Sequence, residues 1–373
     1  MRGHVRKRGN KWIAVIDLGR DENGKRKQKW LSGYDTEEEA QKGATEFMYK
    51  YDIGEILDTP NITVEKYLLE WVETHKQNVT LKTYKSYKAE IVNHLGPSFK
   101  KVKLANVKPL NLQRYYTKKL ETHSSTTVNY QHRILSKALG QAVLWGMIPS
   151  NPATKVTPPK KADKVTEIIT LAQAKGILDY TKMHDHEMYI TILIAFYTGM
   201  RRGEILGLTW DKIDFKTQSI YVTQARQYVG NDIVVTGVKT KKSKRTIAIF
   251  GELSKELQKE KTKQKKDKLE WGENYNVPEQ DFVCRWDNGN LLRPDYVSKK
   301  FKKIATDLQI SNNLRFHDLR HSNATWLMEN GIHPKIVSEM LGHSDIQTTM
   351  NIYSHVSLDM QRNAIAKIEQ NMS

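Results

Sequence analysis

The sequence predicts a multidomain chain: a small α+β module at the N-terminus, an all-α domain in the middle, and a larger mixed, mainly-α domain with a small antiparallel sheet. Three observations carry this. Strand-like runs are confined to the first part of the chain and to short stretches after residue 218. Apolar residues keep a three-to-four spacing from Thr63 to Ile148. Proline-containing stretches, Asp58-Thr59-Pro60 and Pro149 to Lys161, separate these zones. The expected units are residues 1–57, 58–160 and 161–373.

In the first unit, Lys11 to Leu18 reads as a strand, Asp21-Glu22-Asn23-Gly24 as a turn, and Lys25 to Leu31 as the returning strand. Thr36 caps a helix running to about Tyr51, with Glu39 at the capping-box position. Ten basic residues face three acids before residue 31. Arg6, Lys7, Arg8, Lys25, Arg26, Lys27 and Lys29 are therefore candidate DNA contacts, since a basic ribbon fits a groove. A solvated hairpin whose lysines block edge pairing is the competing reading.

The second unit should hold four helices: one around Val64, Tyr67, Leu68 and Trp71, then Leu81–Leu95 ending at Gly96-Pro97, Lys108–Leu120 and Ser125–Gly146. Lys82, Lys85 and Lys88 alternate with Tyr84 and Tyr87, and His132 and Arg133 lie near a helix start. These basic side chains are candidate phosphate or base contacts, and the tyrosines are divided between core and contact roles. Pro149 to Lys161 reads as a linker able to cross a nucleic-acid backbone.

In the third unit Thr170 caps a helix, and a buried helix leads into Thr198-Gly199. Ser219–Val222, Asp232–Val235 and Arg245–Ile249 are short strands. A lysine-rich helix over Leu253–Trp271 is expected to present a solvated face, and helices follow to the end.

The net charge of +18 predicts an anionic partner, and nucleic acid fits better than a membrane because no amphipathic anchor accompanies it. The lone Cys284 excludes an intrachain disulfide and a thiolate cluster, as in a reducing cytoplasm. The N-terminus lacks the apolar core of a signal peptide, and the run Met188 to Met200 is too short to span a bilayer. No carboxylate pair or Cys/His cluster has metal-ligand spacing, so neither a metal nor another cofactor is expected.

One constellation carries chemistry. Arg201 follows Thr198-Gly199-Met200, His317-Asp318-Leu319-Arg320 comes later, and Leu341-Gly342-His343 precedes Tyr353. A phenol, two imidazoles and two guanidiniums suit metal-free attack on a phosphodiester. Arg202 competes with Arg201, His321 and His355 compete with the two histidines, and Tyr353 is one of 17 tyrosines.

With its local context the set resembles the tyrosine recombinase (phage integrase) family. Thr198-Gly199-Met200-Arg201-Arg202-Gly203-Glu204-Ile205 is similar to the first arginine box, and Lys239-Thr240-Lys241-Lys242-Ser243-Lys244-Arg245 to the lysine hairpin. His317 to Ser322 is similar to the second box, and Leu341 to Val356 to the end of the domain. The resemblance selects Arg201, Lys239, His317, Arg320, His343 and Tyr353 as catalytic, with Glu204 as a buried partner. Lys241, Lys242 and Lys244 are left to touch phosphates.

The resemblance further implies a 3′-phosphotyrosine intermediate and a homotetramer exchanging strands through a Holliday junction. Residues 1–50 resemble the three-stranded arm-binding module of integrases from phages and integrative conjugative elements. Integration and excision of a mobile element is thus expected, on double-stranded attachment sites with core and arm parts. A directionality factor (excisionase) and a host DNA-bending protein would assist, in the cytoplasm at the bacterial nucleoid. A resolvase or inversion recombinase and a type IB topoisomerase-like enzyme are the alternatives. The tail Ser357–Ile368 is expected to dock on a neighbouring protomer or on its own domain.

Overall fold

A computed structural model describes residues 2–20, 24–52, 61–160, 166–229, 232–237, 243–249, 251–343, 345–352 and 369. Lys239, Lys241, Lys242, Tyr353, His355 and the tail 357–368 lie outside the described residues. The chain divides into two compact units, 1–163 and 164–373.

The first unit begins with an antiparallel sheet, β1 (Arg2–Arg8), β2 (Lys11–Arg20) and β3 (Arg26–Tyr34), followed by α1 (Glu37–Asp52). The α1 N-terminus carries the expected capping box, with Thr36 Oγ1 accepting from Glu39 N at 3.2 Å and Glu39 Oε2 from Thr36 N at 3.3 Å. Helix α1 packs on the face holding Ala14 and Ile16. By register, the opposite face carries His4, Arg6, Ile13, Val15 and Trp30. Ile13 and Val15 are nonetheless buried there. The Arg6 guanidinium lies 4.6 Å from the centroid of Trp30, beside them.

A helical body follows: α2 (Val64–His75), α3 (Leu81–Glu90), α4 (Gly96–Phe99), α5 (Pro109–Leu120) and α6 (Ser125–Leu144). Trp71, Tyr67, Leu68, Tyr116 and Leu135 lie in its core. Tyr84 is buried and Tyr87 stacks on Trp71, so both tyrosines serve the core. Two expectations are corrected here. The helix from Leu81 does not stop at Gly96-Pro97: a π-helical turn over Ile91–Leu95 carries it on to Phe99. Gly96 N donates back to Ile91 O, and Pro97 follows directly on this π-turn. The proline stretch is also not free linker, because Ala153 and Val156 join the helical core. Asn151 Nδ2 donates to Ser136 O at 2.9 Å and fastens it there.

The second unit contains α7 (Leu171–His184), α8 (His186–Thr198), α9 (Arg202–Leu206), β4 (Ile213–Asp214), β5 (Ser219–Val222), β6 (Gln224–Val229), β7 (Asp232–Gly237), β8 (Arg245–Ala248), α10 (Gly251–Trp271), α11 (Pro294–Asp307), α12 (Asp318–Glu329), α13 (Pro334–Leu341) and α14 (Ile346–Ile352). Its core is built around α8, whose residues from Met188 to Ala195 are all buried. The sheets run β4-β5-β8 and β6-β7. The strands flanking residues 238–242 pair with β6 and β5, and not with each other among the described residues. Helix α10 is only half a solvated face: Leu253 and Leu257 enter the core, with Glu256, Glu260, Gln264 and Asp267 buried beside them.

Candidate active site

Three turns build the site. Helix α8 ends at Gly199, a left-handed cap with φ of 59°. Thr198 Oγ1 accepts from Met200 N at 3.2 Å, which turns the chain so that Arg201 becomes the N-cap of α9. Glu204 reaches back one turn: Oε2 accepts from Arg201 N at 2.9 Å and Oε1 from Arg201 Nη1 at 2.9 Å.

The second turn opens α12. Asp318 is fully buried and accepts from Arg315 N at 2.8 Å and from Arg315 Nη2 at 2.7 Å, which sets His317 at the N-cap. Arg320 follows on the buried side. The third turn ends α13 at Gly342, again left-handed with φ of 68°. His343 N donates to Ser338 O at 3.0 Å, and His343 Nδ1 meets Thr349 Oγ1 at 2.7 Å.

The arginines meet at the last carbonyls of α13. Arg245 Nε donates to Met340 O at 2.6 Å, Arg320 Nη2 to Leu341 O at 2.7 Å, and Arg201 Nη2 to Gly342 O at 3.1 Å. Three successive carbonyls at the negative end of a helix thus hold three guanidiniums. Arg320 Nη1 also donates to Gly199 O at 2.8 Å, joining the first turn to the second. Each of Arg201 and Arg320 uses two of its five N–H groups in these contacts, leaving donors for an anion.

The site is cationic and dry enough to shift its own groups. Burial, then the Arg201 charge, pushes Arg320 down to about 9, so it stays charged at neutral pH. Burial alone would raise Glu204, but Arg245 and Arg201 outweigh it and hold the carboxyl below its usual range. Burial, then Arg320 and Arg201, pushes His343 down to about 4. Burial, then His321 and Arg320, does the same to His317, also to about 4. His317 keeps an exposed edge, so water offsets more of that shift than at His343. Both imidazoles are therefore neutral at pH 7 and able to accept a proton.

The structure brings together Arg201, His317, Arg320 and His343 of the sequence-selected set. Arg202 points elsewhere, with Nη1 donating to Pro294 O at 2.9 Å and bonded to Ser298 Oγ. His321 packs edge-on against His317 with centroids 5.0 Å apart, and its Nδ1 is buried without a hydrogen-bond partner among the described residues. Arg245 and Thr349 were missed. Arg245 follows a run of lysines and looks like one more solvated charge, and nothing in the sequence marks Thr349.

The candidate DNA contacts separate by face. Arg6, Arg8 and Arg26 lie on the sheet face away from α1, where Arg26 pairs with Asp17 at 2.7 Å. Lys7, Lys27 and Lys29 alternate to the α1 side, and Lys25 precedes β3. Lys82, Lys85, Lys88, Arg133 and Lys244 are exposed, and Lys88 Nζ meets Glu73 Oε1 at 2.7 Å. His132 Nδ1 is bonded to Tyr116 Oη at 2.9 Å and is half-buried, which suits it less to a phosphate.

Such a site, in a mainly helical unit preceded in the chain by a helical body and a small basic sheet, has the arginine and histidine chemistry of an enzyme that cuts and rejoins DNA strands. Residues 163–359 match the phage integrase family, residues 63–120 its N-terminal SAM-like domain, and residues 4–51 an arm DNA-binding domain. The chain is 31% identical to a XerC-like tyrosine recombinase of Caldanaerobacter subterraneus, over 96% of both chains. It is 26% identical to the ICEBs1 integrase of Bacillus subtilis, over 77% of each. A solved Tn1549 transposon integrase bound to transposon right end DNA superposes with a TM-score of 0.70 at 20% identity, covering 83% of this chain and all of that one. A lambda integrase tetramer bound to a Holliday junction gives 0.60 at 15% identity, covering 94% of each. The chain belongs to the phage integrase family: it is a tyrosine-type site-specific DNA recombinase, of the integrase kind that carries an N-terminal arm-binding domain. Among the described residues no helix is long and apolar enough to cross a membrane.

Proposed function

We propose that this chain integrates and excises a mobile genetic element, with Tyr353 as the nucleophile. Tyr353 Oη attacks the scissile phosphorus, a 3′-phosphotyrosine bond forms, and the 5′ oxygen leaves. Arg201 and Arg320 grip the non-bridging oxygens with the N–H groups that the α13 carbonyls leave over. Neutral His343, or neutral His317, takes the tyrosine proton. In the tautomer whose Nδ1–H donates to Thr349 Oγ1, His343 does this through Nε2. Lys239 protonates the leaving 5′ oxygen. The 5′ hydroxyl of a partner strand then attacks the phosphotyrosine, restoring a phosphodiester and releasing Tyr353. Bond energy is conserved, so no ATP is consumed.

Residues 1–57 bind arm sites, 58–160 grip the core site with Lys82, Lys85, Lys88 and Arg133, and 161–373 perform the chemistry. Four protomers exchange strands through a Holliday junction at the bacterial nucleoid, with a directionality factor and a host DNA-bending protein setting the outcome. The observation that carries the catalytic reading is the convergence of Arg201 and Arg320 on Leu341-Gly342, next to His343. The test is Tyr353→Phe on a nicked attachment-site duplex. Wild type should trap a covalent protein–DNA adduct and the phenylalanine variant none; an adduct with the variant would refute the assignment of the nucleophile.

A further inference from the structure

Arg245 shares the site with Arg201 and Arg320 but has no part in the reaction as proposed. Its side chain is only 5% exposed, against 39% for Arg201. It binds two distant segments and its own: Nη2 donates to Glu204 Oε2 at 2.8 Å, Nε to Met340 O at 2.6 Å, and Nη1 to Ser243 O at 3.3 Å. The Glu204 carboxylate is thus shared between two guanidiniums, one buried and one facing outward.

That sharing has an electrostatic consequence. A buried carboxylate with a single arginine partner draws that arginine into a closed ion pair, which then has little charge to offer a third group. With Arg245 supplying a second positive charge, Glu204 is neutralised from behind and Arg201 keeps its field for the phosphate. The Met340 contact adds a mechanical role. It fixes the end of α13 one residue before the carbonyls that orient Arg320 and Arg201, and three before His343. Gly342 leaves no room for error at this point, since a Cβ there would lie 3.1 Å from the Arg245 side chain.

We propose that Arg245 is a positioning residue for strand cleavage, which neutralises Glu204 and pins the end of α13 so that Arg201 keeps its charge and donors for the scissile phosphate. This rests on the reading of Arg201 as a phosphate-binding residue.

The experiment measures covalent cleavage of a nicked core-site duplex at saturating full-length enzyme, together with core-site affinity and melting temperature. Arg245→Gln should melt lower and, in the folded protein, cleave roughly ten- to a hundredfold more slowly, while core-site affinity stays close to wild type. Adding Glu204→Gln to it removes the uncompensated charge and should recover most of the loss. A residue that merely packs would show an additive or worse double variant. Arg245→Lys, which keeps the charge and remains usable where the glutamine variant does not fold, should fall between wild type and R245Q. The inference is overturned if R245Q cleaves at the wild-type rate, if E204Q gives no recovery, or if R245K is fully active. Arg201→Ala separates the two levels. Normal cleavage by R201A would remove the reading of the site, whereas an inactive R201A beside a normal R245Q would remove only the role of Arg245.

Discussion

Replacing Gly199 by alanine should damage stability and catalysis together, through one added methyl group. The residue holds φ at 59°, where an L side chain is disfavoured by about 1–2 kcal/mol. The new Cβ would overlap Leu341 Cδ2 and lie 2.6 Å from Asn323 Oδ1. Leu341 can yield in part, but Asn323 is held by its Nδ2 bond to Phe196 O at 2.7 Å. Overpacking of this kind costs about 1–3 kcal/mol, so the catalytic unit should lose about 2–5 kcal/mol. The carbonyls of Gly199 and Leu341 are the two acceptors that hold Arg320, so the same shift tilts the guanidinium. Cleavage should fall by about tenfold or more, since small misplacements of charged groups are expensive in rate. Urea unfolding read by hydrogen exchange in α8 and α12 measures the first effect, and covalent adduct formation on a nicked site the second. Gly176→Ala is the control: it lies exposed in α7 with nothing within 4 Å of an added Cβ, and should stabilise by about 0.5–1 kcal/mol. A G199A protein with wild-type unfolding and cleavage would refute the argument.

Much of this arrangement was legible in the chain itself, for identifiable reasons. Helices α2, α5, α6 and α8 follow from apolar spacing and local caps, which short-range physics decides. Arg201, His317, Arg320 and His343 were legible because each sits beside a backbone feature the sequence also encodes: Gly199, the Asp318 turn and Gly342. What escaped depends on contacts made late in the chain. Arg245 is a buried clamp only because α13 closes on β8, and a Lys/Arg run looks the same before that closure. The partners of β7 and β8 are a matter of sheet register, which strand propensity does not specify. The proline stretch from Pro149 reads as linker because its apolar residues are few; Ala153 and Val156 suffice to seat it on the helical core. On α10 the buried acids mimic a solvated face, since only tertiary partners such as Lys182 and His186 distinguish the two.

The two neighbouring arginines of the first box should separate cleanly. Arg202→Ala removes the bonds to Pro294 O and Ser298 and should cost about 1–3 kcal/mol of stability, yet leave cleavage within a few-fold of wild type once folded. Equal loss of cleavage in R201A and R202A would show that the wrong guanidinium has been assigned. The remaining prediction concerns His343, whose value of about 4 lies below the ordinary 6.5. A depressed histidine binds its proton more readily in the unfolded chain, so its contribution is intact above about pH 6.5 and is lost as pH falls toward 4. The difference amounts to at most about 3 kcal/mol, less whatever solvent at the half-buried ring screens. Urea midpoints measured across that window should therefore fall with pH more steeply for wild type than for His343→Gln. Core-site DNA should reverse the effect. A phosphate seated on Arg201 and Arg320 cancels two of the charges that depress His343, so its proton affinity rises and DNA binding near pH 5.5 (about midway in the window) should take up protons. Calorimetry in buffers of different ionisation enthalpy reads that uptake directly. Equal uptake by wild type and H343Q would place the titrating group elsewhere and break the link between the arginine pair and the proposed proton acceptor.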